Sequence, residues 1–141
     1  MKIMAVDLGK ARTGLAVCDP GEMLASPLVV LPSWNQEKLL DEIANLAKEH
    51  RIEQMVVGLP LNMDGSQGES AQNALAFAEL LREKTGLPVD MKDERGTTIS
   101  AHNYLNTTDT RGKKRKAVVD AVAATIILQD YLDYRRNHRD K

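Results

Sequence analysis

The sequence is poor in several features that would assign it to a class at once. Cys18 is its only cysteine, which excludes an intrachain disulfide and a multi-cysteine metal site. Aromatic residues make up 4% of the 141 residues, too few for a surface that stacks successive bases. The longest apolar runs fall well short of the roughly 20 residues of a membrane helix, and Asp7 interrupts the first of them too early for a secretory signal. We therefore expect a cytoplasmic protein that does not use a membrane.

Neither sign of charge is in excess. Lysine and arginine total 19 and aspartate and glutamate 20, a net charge of -1. This balance excludes a uniformly basic nucleic-acid binder but allows a local basic patch. Hydrophobic residues make up 43% of the 141 residues, enough for the chain to bury a core of its own. We expect a single domain over residues 1–141.

The hydrophobic pattern first predicts three short strands with short connections. They cover residues 2–8, 13–18 and 24–31 and are expected to form an antiparallel meander. Pro27 interrupts the third strand, so we expect this strand at a sheet edge or with a bulge.

The rest of the chain alternates between helices and strands. A capping box at Ser33 and Gln36 predicts the start of a helix, which a strand at 54–58 follows. A second capping box, at Ser66 and Glu69, predicts a helix that Gly86 ends, and a strand at 87–91 follows it. The pattern then predicts a short helix from Thr97 or Thr98 to about Leu105, a basic loop, and a helix from about Lys116 to Arg136. The order predicts an α/β fold with a five-stranded mixed sheet and helices on both faces.

Three carboxylates stand where such a fold places its chemistry, at the carboxyl ends of strands. Asp7 closes the first strand, and Glu94 comes directly after the fifth. Asp120 interrupts the segment AVVDAVAATIIL at 117–128, which is apolar on nearly every side and so predicts a buried helix. A charge in a buried helix needs a partner, a metal or a function.

Each carboxylate also has an ordinary structural interpretation. Asp7 suits a turn cap, Glu94 suits a solvated loop, and Asp120 suits a salt bridge to Arg95, Arg12 or Lys116. Together, however, two strand ends and a buried helix can converge on one point. Acidic oxygen ligands suit Mg²⁺ or Mn²⁺, and a pair of such ions about 3.5–4 Å apart clamps the reacting oxygens in phosphodiester hydrolysis.

Two cationic segments accompany these carboxylates. The loop at residues 7–14 has two glycines and the cations Lys10 and Arg12, so its amides can face a phosphate. The run Arg111, Lys113, Lys114, Arg115 and Lys116 precedes the buried helix, and Gly112 is expected to keep it flexible. As a loop it can reach over a phosphate backbone bound at the acidic site, although a solvated loop explains the same charges.

Four segments, in order, also resemble a known family: Asp7-Leu8-Gly9 with Arg12, Gly14 and Ala16; Gly58-Leu59-Pro60-Leu61-Asn62-Met63-Asp64-Gly65-Ser66; Asp93-Glu94-Arg95 with Thr97 and Thr98; and Asp120 with Ala123, Ala124, Ile127, Leu128, Gln129, Tyr131 and Leu132. The chain resembles the bacterial YqgF family over nearly its whole length. The resemblance implies a ribonuclease-H-like fold and a nuclease that matures the 5′ end of pre-16S ribosomal RNA. It matches the family's metal-binding carboxylates to Asp7, Glu94 and Asp120.

The resemblance thus implies a hydrolase with Mg²⁺ or Mn²⁺ that cuts structured RNA, in pre-16S rRNA or the pre-ribosome. Hydrolysis would be of the two-metal type, with Asp7, Glu94 and Asp120 both catalytic and metal-binding. The residues expected to contact nucleic acid are Arg12, Asn62, Arg95, Lys113, Lys114, Arg115 and Lys116. The protein is expected to be a monomer or a weak homodimer.

Three alternatives remain at this stage. The family has also been proposed to resolve Holliday junctions, and a symmetric DNA four-way junction requires two active sites and hence a stable dimer. The Asp-x-Gly loop also resembles the first phosphate loop of actin-like ATPases, which need two such domains to enclose a nucleotide. A non-catalytic nucleic-acid-binding module would bind without metal and with steep salt dependence.

Overall fold

The computed structural model describes residues 1–61, 64–93 and 112–139, with the backbone alone for 112–121 and 138–139. The elements are, in chain order, β1 (Ile3–Leu8), β2 (Arg12–Cys18), β3 (Ala25–Pro32), α1 (Gln36–Glu49), β4 (Gln54–Leu59), α2 (Glu69–Thr85), β5 (Val89–Asp93) and α3 (Gly112–Arg139). The short helix predicted from Thr97 or Thr98 to Leu105 lies outside the described residues.

The five strands form one mixed sheet in the order β3-β2-β1-β4-β5. β1, β2 and β3 pair as an antiparallel meander, and β4 and β5 run parallel to β1. β3 lies at the edge of the sheet, and its register with β2 shifts between Leu15 and Ala16. Leu15 pairs with Val29, and Ala16 pairs with Pro27. The predicted mixed sheet is confirmed, and Pro27 marks both an edge strand and an irregularity. The edge at which β1, β4 and β5 end is called the carboxyl edge below.

Alternation along β1 divides the core between the two faces of the sheet. Met4 and Val6 pack with buried residues of α1 and α2, whereas Ile3 and Ala5 pack with buried residues of α3. The helices therefore cover both faces, as predicted. Because Asp7 lies two residues after Ala5, it continues the row that faces α3.

The capping box predicted for α1 is wrong. The N-cap is Asn35, whose Oδ1 accepts a hydrogen bond from the backbone N–H of Lys38 at 3.0 Å. The Ser33 hydroxyl instead lies 2.7 Å from that of Thr13. Thr13 is fully buried, and a buried hydroxyl needs a hydrogen-bond partner. This contact between distant parts of the sequence occupies the serine expected to cap the helix.

The capping box predicted for α2 is also wrong. The helix begins at Glu69 with Gly68 as its N-cap. The backbone N–H and the hydroxyl of Ser66 both bond to Oδ1 of Asp64, at 2.9 and 2.6 Å. A local turn therefore occupies Ser66 three residues before the helix starts. The end of α2 is as predicted, since Gly86 adopts the left-handed conformation with φ 71°.

The basic loop predicted before the last helix is wrong over the described residues. The backbone is helical from Gly112, so Lys113, Lys114, Arg115 and Lys116 lie in the first turns of α3. Lysine and arginine are good helix formers, and the run extends the apolar helix that follows it. Arg111 lies outside the described residues.

Polar contacts anchor the second half of α3 near the starts of the strands. Gln129 Oε1 accepts a hydrogen bond from the backbone N–H of Ala25 at 3.0 Å. The Tyr131 hydroxyl donates to Asp90 and accepts from Gln54. Burial, and then the contact with Asp90, raises the pKa of Tyr131 to about 12, which keeps this hydroxyl protonated. These contacts direct the first half of α3 toward the carboxyl edge.

A partly buried ion pair between Arg135 and Glu22 also connects the second half of α3 to the segment before β3. Nε of Arg135 donates to Oε1 of Glu22 at 2.7 Å, and the Glu22 side chain is 8% exposed. The bond to Arg135 lowers the pKa of Glu22 below its ordinary value near 4.5. The pair therefore contributes its full stabilisation at pH values above the pKa of Glu22 in the unfolded chain. This contribution is lost as the pH falls through the lower pKa that Glu22 has in the folded chain.

Replacing Glu22 by glutamine is expected to lower the free energy of unfolding by about 1.5–3 kcal/mol at pH 7, the typical value of a hydrogen bond to a charged group. The difference from wild type should shrink in acid, where the wild-type carboxylate is itself protonated. Urea unfolding at pH 7 and at a pH below 4 measures both effects. Glu79→Gln, which removes an exposed partner of Arg82, should change stability by about 1 kcal/mol or less. A Glu22 effect of equal size at both pH values would contradict this assignment.

Candidate functional site

Asp7 lies between two glycines of the neighbouring strands, on the face of the sheet that α3 covers. It is half-buried at the next-to-last position of β1 and pairs across the sheet with Gly14 of β2. On the other side Val6 pairs with Val57, so the next residue, Gly58 of β4, lies beside Asp7. Directly opposed residues share a face of the sheet. Because neither glycine has a side chain, neither of them covers the Asp7 carboxylate.

The end of β5 brings a second acidic segment to the same edge. Gly58 pairs with Lys92 and Leu59 with Asp93, the last residue of β5. Asp7, Gly58 and Lys92 therefore form one row across β1, β4 and β5. Because β5 lies two strand spacings from β1, the backbones of Asp7 and Lys92 are about 10 Å apart. Glu94 follows immediately but lies outside the described residues. Lys92 lies in the same row and on the same face of the sheet as Asp7. This position follows from the strand pairing and could not be predicted from the sequence.

The position of Asp120 follows from the helix that carries it. Ala124 and Ile127 pack on the sheet, and position 120 precedes them by four and seven residues, the spacing of one helix stripe. Tyr131 is hydrogen-bonded to Gln54 at the start of β4. The helix between position 131 and position 120 is about 16 Å long. Gln54 pairs with Ile3 of β1, and the strand from Ile3 to Asp7 is about 13 Å long. The helix is thus long enough to carry position 120 to the level of the carboxyl edge.

The structure describes only part of the predicted site. Of the three carboxylates it describes one side chain, Asp7; Glu94 lies outside, and Asp120 has a described backbone alone. Within the described side chains, no three of the His, Cys, Asp and Glu residues group closely enough to hold a metal. Asn62 and Arg95 also lie outside. Arg12 begins β2 at the same edge, and alternation with Gly14 and Ala16 puts it on the face of Asp7.

The turn after Asp7 depends on a close approach between backbones. A Cβ added to Gly9 would lie 2.3 Å from the carbonyl oxygen of Arg12. That atom belongs to the backbone at the start of β2, so it cannot give way as a flexible side chain would. Gly9 therefore fixes the tight turn that holds Asp7 and Arg12 at one edge.

Replacing Gly9 by alanine is expected to lower the free energy of unfolding by about 1–3 kcal/mol, because the backbone must shift to admit the methyl group. Thermal unfolding measures the effect. Gly21→Ala is the matched control, since its Cβ would meet side-chain atoms, the Asp19 carboxylate at 3.0 Å and the Met23 side chain, and no backbone. Equal stability of the two variants would show that the turn tolerates a side chain at Gly9.

Comparison with known proteins identifies the family. A family model described as "RuvX: Holliday junction resolvase" matches residues 1–134. The chain belongs to the RuvX family. This is the family also called YqgF, so the resemblance inferred from the four segments is confirmed.

Curated relatives of this RuvX protein match it over most of its length. A protein of Clostridium botulinum (strain Eklund 17B / Type B) named "Putative pre-16S rRNA nuclease" is 40% identical over 133 residues, which are 94% of this chain and 97% of that protein. A protein of the same name from Rhodopirellula baltica is 42% identical over 132 residues, 94% of this chain and 76% of that protein. The chain is accordingly an enzyme of a nuclease family.

Solved structures confirm the ribonuclease-H-like fold. Thermus thermophilus RuvC in complex with a Holliday junction substrate is 17% identical with a TM-score of 0.61, over 96% of each chain. A Fowlpox virus resolvase in complex with Holliday junction DNA is 11% identical with a TM-score of 0.60, over 95% of this chain and 98% of that one. At these identities the likeness shows the fold alone. In the described part of the RuvX chain, no helix combines the length and hydrophobicity needed to span a bilayer.

Proposed function

We propose that this RuvX protein is a divalent-metal-dependent endonuclease that processes the 5′ end of pre-16S ribosomal RNA, with Asp7, Glu94 and Asp120 as its metal ligands. The observation that carries the proposal is the setting of Asp7, which lies between two glycines at the carboxyl edge on the α3 face. Position 94 directly follows β5 at that edge, and position 120 continues the sheet-facing stripe of α3. The name of the curated relatives supports the choice of RNA, and this substrate would place the enzyme in the cytoplasm.

The donor set fits Mg²⁺ or Mn²⁺. Three carboxylates supply the hard oxygen ligands that these cations prefer, and the glycines beside Asp7 add no side chain that would cover its carboxylate. When bound, the cations would neutralise charge that develops on the scissile phosphate during in-line displacement. The Asp7 carboxylate would hold a cation at a fixed point of the sheet, because β1 is paired on both sides.

Cationic side chains of this chain would bind and orient the strand. Arg12 lies on the face of Asp7 at the same edge, where its guanidinium can bind phosphate oxygens in a forked geometry. Lys92, in the same row, adds a cation on the side of β5. We propose that Arg95, Lys113, Lys114, Arg115 and Lys116 contact flanking phosphates and that Asn62 contacts the strand.

A DNA four-way junction is the second candidate substrate. The description of the RuvX family and the fold shared with junction resolvases favour it. Resolution of a symmetric junction requires two active sites and hence a stable dimer, whereas we propose a monomer or a weak homodimer. Analytical ultracentrifugation with and without junction DNA distinguishes these states.

The proposal is tested by cleavage of two substrates, a pre-16S leader RNA and a DNA four-way junction, with Mn²⁺ and then with EDTA. We expect the wild type to cut the RNA in Mn²⁺ only and Asp120→Asn to cut neither substrate. Asp133→Asn, on the same helix in a partly exposed pair with Arg136, should cut like wild type. Preference for the junction would replace RNA by DNA as the substrate. Binding of both substrates without any cleavage would refute the nuclease proposal for the isolated chain.

A further inference from the structure

A recess opens at the carboxyl edge on the opposite face of the sheet from Asp7. It has a volume of about 290 Å³ and lies between the β1–β2 turn and the first turns of α1 and α2. Leu8, the residue after Asp7, lines it and packs with the core beneath α1 and α2. A strand bound at Asp7 therefore has to pass only the turn at Gly9 and Lys10 to reach this recess.

The lining of the recess is polar at its rim and apolar at its base. The polar residues are Lys10, Ser33, Gln36, Ser70 and Asn73. Gln36, Ser70 and Asn73 are exposed, and their side chains make no hydrogen bond to the rest of the described chain. Leu39 and Phe77, each 2% exposed, form the apolar base. The rim thus offers hydrogen-bonding groups that the fold itself does not use.

These groups have the chemistry that reads a nucleotide. An amide side chain presents both donors and an acceptor and can pair with two atoms of a base edge. Lys10 is the one charged residue among the described lining residues, so the recess favours a ligand with negative charge, such as a phosphate. Small-ligand sites begin at about 300 Å³, so a single nucleotide suits this volume and a duplex does not.

We propose that this recess takes one unpaired nucleotide of the nucleic-acid strand that the enzyme cuts. Gln36 and Asn73 contact the base edge, Lys10 contacts the phosphate, and Phe77 with Leu39 supports the base from below. The inference rests on the proposed nuclease function and specifies its substrate, which needs an unpaired nucleotide close to the cut. Recognition of unpaired bases is the usual basis of sequence-specific RNA binding. A fully paired duplex offers the recess no nucleotide.

The test compares the binding of three probes to Asn73→Leu and to a neighbouring control variant. The probes are a short single-stranded RNA, the DNA of the same sequence and a blunt RNA duplex, measured by fluorescence anisotropy in EDTA. Asn73→Leu should weaken binding of single-stranded RNA by about tenfold, the loss of one good base contact. Its affinity for the duplex should not change. Gln72→Leu, at an exposed position of α2 outside the recess, should bind all probes like wild type.

The outcomes separate this inference from the nuclease proposal, because the binding requires no metal and no cleavage. An Asn73→Leu variant that binds single-stranded RNA like wild type, or loses duplex affinity equally, would overturn the nucleotide site. An equal loss on RNA and DNA supports a site that reads the base without the sugar, and a loss on RNA alone supports one that also reads the 2′-hydroxyl. If wild type binds through Asn73 but cuts nothing, the nucleotide site stands and the nuclease proposal fails.

Discussion

Asparagine in place of Asp7 is expected to slow metal-dependent RNA cleavage by about 100- to 1,000-fold, since one metal ligand is worth several kcal/mol in the transition state. The substitution keeps the size of the side chain but removes the charge that would hold the cation. Single-turnover cleavage in Mn²⁺ measures the rate. Affinity for the RNA in EDTA should be equal to that of wild type or higher, because a carboxylate repels phosphates.

The control for Asp7 is another single carboxylate. Asp41→Asn lies on α1, where the exposed Asp41 pairs with Lys84, and it should cleave at the wild-type rate. A cleavage rate for Asp7→Asn close to that of wild type would show that Asp7 only supports the turn. A loss of RNA affinity in EDTA with little effect on rate would likewise remove Asp7 from the metal site.

The second large effect concerns the basic first turns of α3. Helical spacing separates the four cations, because successive residues lie 100° apart around a helix. Positions 113 and 116 precede 120 by seven and four residues and share its stripe, whereas 114 and 115 do not. The double variant Lys113→Ala/Lys116→Ala is therefore expected to lose about two phosphate contacts. The fall in affinity between 50 and 200 mM salt should then be about tenfold smaller than for wild type.

Lys114→Ala/Arg115→Ala is the matched control, because it removes the same charge from the same turns. Because positions 114 and 115 lie off the stripe of position 120 and would contact phosphates farther along the strand, we expect this variant to lose less of the salt dependence than Lys113→Ala/Lys116→Ala. Anisotropy titrations of an RNA duplex over a range of salt concentrations compare the two pairs. Equal effects of the two variants would mean that charge alone matters and that the helical register of these residues does not.

The strands and the antiparallel pairing of the first three could largely be predicted because they depend on local signals. β1 and β4 are short apolar runs ended by turn residues, and Pro27 indicated the edge. The helix starts could not be predicted in the same way. Ser33 has the right spacing for a cap, but Thr13, twenty residues away, takes its hydroxyl. The charge of the basic run favours a solvated loop, but lysine and arginine are also good helix formers, and the run is helical where it precedes the apolar helix.

The site shows the same limit. Asp7 could be placed at a strand end from the sequence, because an apolar run stops beside it. The glycines on either side of it are 7 and 51 residues away, and only the register of β2 and β4 brings them there. The recess at Asn73 was also missed, since it is formed by the starts of two helices and a turn. Asp7, Glu94 and Asp120 as metal ligands all remain predictions.

The central claim is that Asp7 and Asp120 hold the same metal site, and a double-variant comparison tests it most directly. Asp7→Asn, Asp120→Asn and the double variant are compared with wild type by single-turnover cleavage of the RNA in Mn²⁺. Because residues that act as one unit are strongly non-additive, the double variant should be about as slow as the slower single variant. Two losses that multiply in the double variant would contradict the account, since they would show that the two carboxylates act independently.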